Sequence, residues 1–104
     1  MSTLKEVHDE IVRQIRRDLS EHTPLELRSI MNAGLTEEAG EVSGLFKREL
    51  RNLPKDRVRC TREHYVEELG DVLWYLVGVA YVHGIELQEI WDHNVSKLED
   101  RYGN

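Results

Sequence analysis

The sequence predicts an all-α protein, an antiparallel bundle of about four helices in a single domain spanning residues 1–104. Three observations lead to this fold class. Apolar residues recur three and four positions apart through most of the chain, which is the period of a helix buried on one side. No segment of useful length alternates apolar and polar residues as a half-buried strand does. The two prolines, Pro24 and Pro54, stand at a helix start and in a connecting loop.

The first helix is predicted from about Leu4 to Leu19 and is amphipathic. Thr3 and Glu6 have the spacing of a capping box, in which each side chain accepts a hydrogen bond from the other residue's backbone N–H. The apolar residues that follow at helical spacing are Leu4, Val7, Ile11, Ile15 and Leu19. The segment lacks the apolar core of a signal peptide.

The second helix is predicted to begin at Thr23 and to continue to about Leu50. Thr23 is the expected N-cap, Pro24 the first helical residue and Glu26 the reciprocal capping side chain. Three glycines lie inside this helix: Gly34, Gly40 and Gly44. Each weakens a helix by about 1 kcal/mol relative to alanine, so together they indicate the close approach of another backbone. A break at Gly34, with Thr36 as a new cap, is the alternative.

Two further helices complete the chain. Residues 51–60 are predicted to form a loop, and the third helix starts after Thr61 and runs to about His83, where Gly84 ends it. The fourth helix covers about residues 86–102 and ends before another glycine.

Composition limits the possible partners and location. The chain has 20 acidic and 14 basic residues, a net charge of −6, which argues against binding nucleic acid through the overall field. A single cysteine, Cys60, allows no internal disulfide and suits a reducing cytoplasm. The longest apolar run, residues 72–82, is shorter than the roughly 20 residues that cross a bilayer. We therefore expect a cytoplasmic protein without a nucleic-acid or membrane partner.

The segment GLTEEAGEVSGLF, residues 34–46, places three glutamates in an amphipathic helix. The apolar stripe of this helix consists of Met31, Leu35, Val42, Leu45 and Phe46. At 100° per residue, Glu38 falls inside the stripe, Glu41 lies at its edge and Glu37 points toward solvent. The three glutamates are therefore not equivalent.

The third helix carries a second acidic pair, Glu68 and Asp71, in EELGDVLWY. Its main apolar stripe consists of Leu69, Val72, Leu73, Leu76 and Ala80. The acidic pair lies off this stripe, in line with Tyr75, Val79 and Val82, and this second face is predicted to be buried as well. A further apolar side, formed by Trp74, Val77 and Tyr81, would stay exposed in a single thin bundle, which predicts oligomerisation.

Four carboxylates on buried faces need neutralisation, because an unpaired buried carboxylate is costly. Either a divalent cation or Arg and Lys side chains from another helix can supply it, and periodicity leaves both alternatives open. If a metal binds, an all-carboxylate set favours a hard ion such as Mg²⁺. A di-iron bundle needs Glu-x-x-His pairs, and no glutamate of this chain has a histidine three residues later.

These residues resemble the EExxE…ExxD pattern of the MazG-like nucleoside triphosphate pyrophosphohydrolases. EEAGE at residues 37–41 is followed by ELGD at 68–71, and 26 residues separate Glu41 from Glu68. The segment NVSKLEDRYG, residues 94–103, is similar to the C-terminal motif of that family, Asn-x-x-Lys-Leu-x-x-Arg-Tyr. The resemblance extends over about residues 25–103.

The resemblance implies an all-α fold with an antiparallel core, assembled as a homodimer or homotetramer. It also implies hydrolysis of an NTP or dNTP to the monophosphate and pyrophosphate with Mg²⁺ or Mn²⁺, in nucleotide-pool control or house-cleaning. Two alternatives remain. One is a related activity on another substrate, such as phosphoribosyl-ATP. The other is a non-catalytic helical module whose acidic residues pair with a partner's arginines.

The matched positions imply roles for individual residues. The implied metal ligands are Glu38, Glu41, Glu68 and Asp71. Glu41 is also the candidate that takes a proton from the attacking water, and Glu37 would orient that water.

The substrate-binding residues implied are Tyr75 for the nucleoside, and Asn94 and Lys97 for phosphates or metal-bound water, with Arg101 on the same side. Core packing for Tyr75 and a solvated helix surface for Lys97 and Arg101 are the alternatives. Lys47 opens a basic run over residues 47–62, which is either a phosphate-holding flap or a solvated loop.

Overall fold

The computed structural model of this chain describes residues 1–52 and 61–103, which form four helices and, within these ranges, no strand. The helices are α1 (Leu4–Asp18), α2 (Pro24–Asn52), α3 (Arg62–Val82) and α4 (Leu87–Tyr102). The all-α prediction is confirmed. The predicted boundaries are correct to within two residues. Helix α2 is continuous through Gly34, and it extends to Asn52, into the first positions of the predicted loop. The rest of that loop, with Cys60, lies outside the described residues.

Local capping explains where the helices begin. The predicted capping boxes at Thr3 and Thr23 are present, with Glu6 and Glu26 as their reciprocal partners. Helix α3 begins with a third box that sequence analysis missed. There, Thr61 Oγ1 accepts from the His64 backbone, and His64 Nδ1 accepts from the Thr61 backbone at 3.0 Å. A histidine takes the role that the consensus gives to Glu or Gln, which is why the pattern was not recognised.

Helices α2 and α3 pack antiparallel along one face, and two glycines set their distance. Gly34 lies under the ring of Tyr75, and Gly78 lies against the side chain of Met31, so that a Cβ at either glycine would overlap its neighbour. Gly34 and Gly78 are both buried. Each helix thus contributes one glycine and one large side chain to the contact.

The predicted role of Gly40 and Gly44 in close helix packing is wrong within this chain. A Cβ at residue 40 would meet nothing within 4 Å, and one at residue 44 would meet only an arginine of the same helix at 3.4 Å. The reason is register: α3 approaches α2 most closely at Gly34 and Met31, about two to four helical turns before Gly40 and Gly44.

Helix α1 covers the side of α3 that carries Trp74 and Tyr81. Trp74 Nε1 donates to Gln14 Oε1 at 2.8 Å, and Arg16 Nε donates to Tyr81 Oη at 3.2 Å. The Arg16 guanidinium also lies 5.6 Å from the centre of the Tyr81 ring. The buried core cluster consists of Ile11, Ile15, Met31, Val77 and Leu87. The side of α3 formed by Trp74, Val77 and Tyr81 was predicted to stay exposed in a single copy of the chain. That prediction is wrong, because α1 covers this side.

Helix α4 packs mainly on α1, whereas α2 and α3 pack extensively on each other. The radius of gyration is 17.0 Å, against about 13 Å expected for a compact chain of 100 residues. Consequently, several residues predicted to be buried are exposed: Phe46 (57%), Leu69 (53%) and Leu73 (40%). With neighbours at helical spacing they form two exposed apolar rows, an α2 row of Phe46 and Leu50 and an α3 row of Val66, Leu69 and Leu73.

None of the helices in the described residues combines the length and the apolar composition that a membrane crossing requires.

Candidate metal centre

The antiparallel register of α2 and α3 brings three carboxylates together. The contact between Gly34 and Tyr75 sets this register. Glu38 lies one turn after Gly34 on α2, and Asp71 lies one turn before Tyr75 on α3, so Glu38 is opposite Asp71. Glu68 lies one turn before Asp71. One carboxylate oxygen from each of these three residues lies within 4.8 Å of the others. Glu38 and Glu68 are half-buried and Asp71 is exposed, so the cluster has one side open to solvent.

No cationic side chain neutralises this cluster in the part of the chain that the structure describes. Within residues 1–52 and 61–103, no ion pair joins Lys, Arg or His to Glu38, Glu68 or Asp71. The sequence had left ion pairs and a metal as alternatives. Three facing carboxylate oxygens without a cationic partner fit a divalent cation, and an oxygen-only donor set with an open side suits Mg²⁺, which keeps several waters.

Burial and neighbouring negative charges both act on the Glu38 carboxyl. Partial burial raises the pKa of its carboxyl above the ordinary value, and the negative charge of Asp71 raises that pKa further. Glu37, Glu68 and Glu41 add smaller contributions in the same direction. The ionised form of Glu38 is thus disfavoured in the metal-free protein, and a bound cation would relieve this repulsion.

Glu41 and Glu37 lie beside the cluster and not within it. Both are exposed on α2. Glu41 stands one turn after Glu38, near enough to contribute to its raised pKa. The structure therefore brings together three of the four predicted ligands, and leaves Glu41 at the solvent side of the group.

Tyr75 is held one turn beyond Asp71 on α3. Its ring packs on Gly34 and meets Trp74 edge-on, with ring centres 5.1 Å apart and planes at 74°. Trp74 is in turn bonded to Gln14 of α1. Sequence analysis singled out Tyr75, and named Gly34 as one of three points of close approach, but it did not pair the two residues. It missed Gln14, because the contact of Gln14 with Trp74 depends on how two helices pair.

The predicted phosphate-binding residues lie on a different part of the protein. Asn94 and Lys97 line a shallow groove on α4 with Ile85, Ile90 and Trp91, and Lys97 and Arg101 line a second groove beside it with His93. Neither groove includes any of the three carboxylates. Helix α4 packs mainly on α1, so within this chain its two grooves lie apart from the carboxylate cluster.

Lys47, also predicted to bind substrate, is exposed on α2. Of the basic run that it opens, residues 53–60 lie outside the described residues, so the proposed flap over the site stays a prediction.

The raised pKa of Glu38 predicts how stability varies with pH. The folded metal-free state binds this proton more tightly than the unfolded chain does. The stabilising contribution is therefore fully present below pH 4.5, the ordinary value, and is lost as pH rises through the raised value. We expect the urea midpoint of metal-free wild type to fall relative to that of Glu38→Gln over this window. Superimposable pH profiles for the two proteins would contradict this, and saturating Mg²⁺ should reverse the wild-type loss.

A family model described as the MazG nucleotide pyrophosphohydrolase domain matches residues 25–104. The Gene 37 protein of Mycobacterium phage L5 is 33% identical over 73 residues, which cover 70% of this chain and 64% of that protein. The matched region thus spans less than two thirds of this relative's length. No solved structure matches the chain significantly. Helix α1 lies before the region that the family model covers.

Proposed function

Because this chain belongs to the MazG nucleotide pyrophosphohydrolase family, we propose that it hydrolyses a nucleoside triphosphate, NTP or dNTP, to the monophosphate and pyrophosphate. The reaction depends on Mg²⁺, with Mn²⁺ as a substitute, and serves nucleotide-pool control or house-cleaning. The observation that carries this proposal is the group of three carboxylates, Glu38, Glu68 and Asp71, with oxygens within 4.8 Å of one another.

The side chains of this group match what phosphoryl transfer requires, which is mainly positioning and neutralisation of charge. When bound, Mg²⁺ neutralises phosphate oxygens and makes a water molecule more acidic. Glu38, Glu68 and Asp71 would hold the ion. Glu41, at the solvent side, accepts the proton of the water that cleaves the anhydride between the α and β phosphates, and Glu37 orients that water.

Tyr75 contacts the nucleoside in this proposal. Its ring stands next to the carboxylates and is held by Gly34 beneath it and by Trp74 at its edge. An aromatic ring held in this way offers a stacking surface for a base.

A second copy of the chain supplies the phosphate-binding residues Asn94, Lys97 and Arg101. Three observations support this. Helix α4 packs on α1, away from the carboxylates of its own protomer. The α2 row and the α3 row consist of large exposed apolar side chains, which are typical of protein–protein interaction surfaces. Lys97 and Arg101 are exposed cations on α4, which suit the phosphates of a nucleotide held at the carboxylate group. The assembly is accordingly a homodimer or homotetramer.

The activity is tested with the purified chain, Mg²⁺, a panel of all common NTPs and dNTPs, and phosphoribosyl-ATP. Pyrophosphate and the monophosphate are quantified separately from orthophosphate. We expect equimolar monophosphate and pyrophosphate from at least one nucleoside triphosphate, and none after EDTA treatment. Orthophosphate as the product, or no pyrophosphate from any substrate, would overturn the proposal. Cleavage of phosphoribosyl-ATP alone would replace the substrate class.

Sharing of the site between copies predicts complementation between two inactive variants. Glu38→Gln damages the carboxylates and Lys97→Ala damages α4. Random reassociation of equal amounts should restore about one quarter of wild-type activity, since half of the symmetric dimers are mixed and each mixed dimer has one intact composite site. If both halves of the site came from one copy, the mixture would remain as inactive as its components. Light scattering of the wild type provides the control, because a stable monomer excludes sharing.

A further inference from the structure

We infer that His8 of α1 is a positioning residue for α4, and through α4 for the phosphate-binding side chains that it carries. His8 is 5% exposed and shares a face of α1 with Leu4, Ile11 and Ile15. A histidine on the apolar side of a helix needs hydrogen-bond partners. The inference concerns a helix outside the region matched by the family model, and its ligand-binding consequence rests on the proposed function.

His8 caps the N-terminus of α4 from another helix. Its Nδ1 accepts a hydrogen bond from the backbone N–H of Leu87, the first residue of α4, at 3.2 Å. The N-cap residue itself, Glu86, makes no side-chain capping hydrogen bond. An acceptor at Nδ1 means that Nε2 carries the proton of the neutral ring, and Nε2 faces the carboxylate of Glu86 at 3.3 Å.

The same residues could be mistaken for a second metal site. His8, Asp9 and Glu86 each offer a ligand atom within 4.8 Å of the others. A metal at Nε2, however, needs that nitrogen without its proton, while Nδ1 is already an acceptor from Leu87. The ring would have to become an anion or give up the cap. Asp9 is moreover paired with Lys5 Nζ at 3.0 Å. The arrangement therefore favours a helix cap.

The cap fixes the direction of α4 together with the burial of Leu87 in the core cluster. The chain leaves α3 through Gly84, which has a φ of +69°, and Ile85 N donates to Ala80 O at 2.8 Å. Within residues 1–52 and 61–103, the bond between His8 and Leu87 is the hydrogen bond that joins α1 to α4. Lys97 lies about 15 Å along the axis from Leu87, so a tilt of about 10° displaces it by about 2.6 Å. A displacement of that size moves the ammonium group of Lys97 beyond hydrogen-bonding distance of a phosphate oxygen that it contacted before.

Three variants separate the cap from simple packing. His8→Leu removes the acceptor, and His8→Asn keeps one, because its Oδ1 stands close to the position of Nδ1. Leu87→Pro removes the donor instead, and proline is well tolerated at the first position of a helix. The proline would follow Glu86, whose backbone is extended with φ −89° and ψ 145°. An extended conformation is the one that the residue before a proline prefers.

The readouts are amide hydrogen exchange and the dissociation constant of a non-hydrolysable NTP analogue with Mg²⁺. In His8→Leu, we expect the residue 87 amide to lose protection and the analogue to bind up to roughly tenfold more weakly, which is the largest coupling that one hydrogen bond can supply. His8→Asn should restore both within about twofold of wild type on the same reasoning. Affinity for Mg²⁺ alone should not change in either variant.

Two results would overturn the inference. One is a lost amide protection with unchanged analogue affinity, and the other is equal weakening in His8→Asn and His8→Leu. If His8→Leu does not fold, Leu87→Pro is titrated with the analogue and compared with Leu87→Ala, because Leu87 also belongs to the core cluster and the alanine variant keeps the backbone N–H. Weaker binding by Leu87→Pro than by Leu87→Ala supports the inference, and equal affinities count against it. Absence of turnover in the wild type is a separate result that rejects the proposed function, whereas the analogue titration still decides the role of His8.

Discussion

Replacing Glu38 by Gln is expected to lower the turnover of nucleoside triphosphates by roughly a hundredfold to a thousandfold, the scale found when one preorganised electrostatic group is removed. Asp71→Asn should have a similar effect. Both substitutions keep the shape of the side chain but remove a charged oxygen from the group whose members lie within 4.8 Å. The measurement is kcat/KM at saturating Mg²⁺, together with the Mg²⁺ affinity in the absence of nucleotide.

The control for these variants is Glu67→Gln. Glu67 is exposed and adjacent to Glu68 on the same helix, but it does not belong to the carboxylate group. Its kcat/KM should stay within about twofold of wild type, as for a surface change away from the site. Circular dichroism should show the same helical content in all three variants. Near-normal turnover in both Glu38→Gln and Asp71→Asn would remove the basis for the metal centre.

The largest effect on stability is expected from Met31→Ala. Met31 is 0% exposed and lies against Gly78, in the cluster that joins α2, α3 and α1. Truncation leaves a cavity beside a residue that has no side chain to fill it. The free energy of unfolding should fall by about 2–5 kcal/mol, a large part of the 5–15 kcal/mol typical of a domain. Urea denaturation followed by circular dichroism, at one fixed protein concentration, measures this change.

Leu25→Ala is the matched comparison, because Leu25 lies on the same helix but is 69% exposed. We expect its cost to stay within about 0.5 kcal/mol. Equal costs for the two substitutions would mean that Met31 is not part of a packed core. An unchanged slope of free energy against urea would assign the difference to the folded state.

Local features of this protein could be predicted well from the sequence. The capping boxes at Thr3 and Thr23 depend on residues three positions apart, and the helix period separates Glu38 from Glu37 without reference to any other helix. The half-buried Glu38 and the exposed Glu37 agree with that separation. Such features need only the geometry of one helix.

Pairings between helices were predicted less well. The sequence offers Gly34, Gly40 and Gly44 as equally good points of close approach, and only the register of α3 selects Gly34. It offers three apolar sides on α3, and only the position of α1 shows that Trp74 and Tyr81 are covered within the protomer while Leu69 and Leu73 are not. The hydrogen bond of His8 was not predicted, because its partner, Leu87, lies 79 residues away in the sequence.

By itself, then, the sequence determined the four helices, their ends and the two acidic pairs, because helical period and capping act over at most a few residues. Only the tertiary structure decided that Glu38 meets Glu68 and Asp71, that α1 caps α4, and that the basic residues of α4 stand apart from the carboxylates of the same chain. Those outcomes depend on which helix faces meet and in what register. They follow from the summed packing of the whole chain, which no single segment contains.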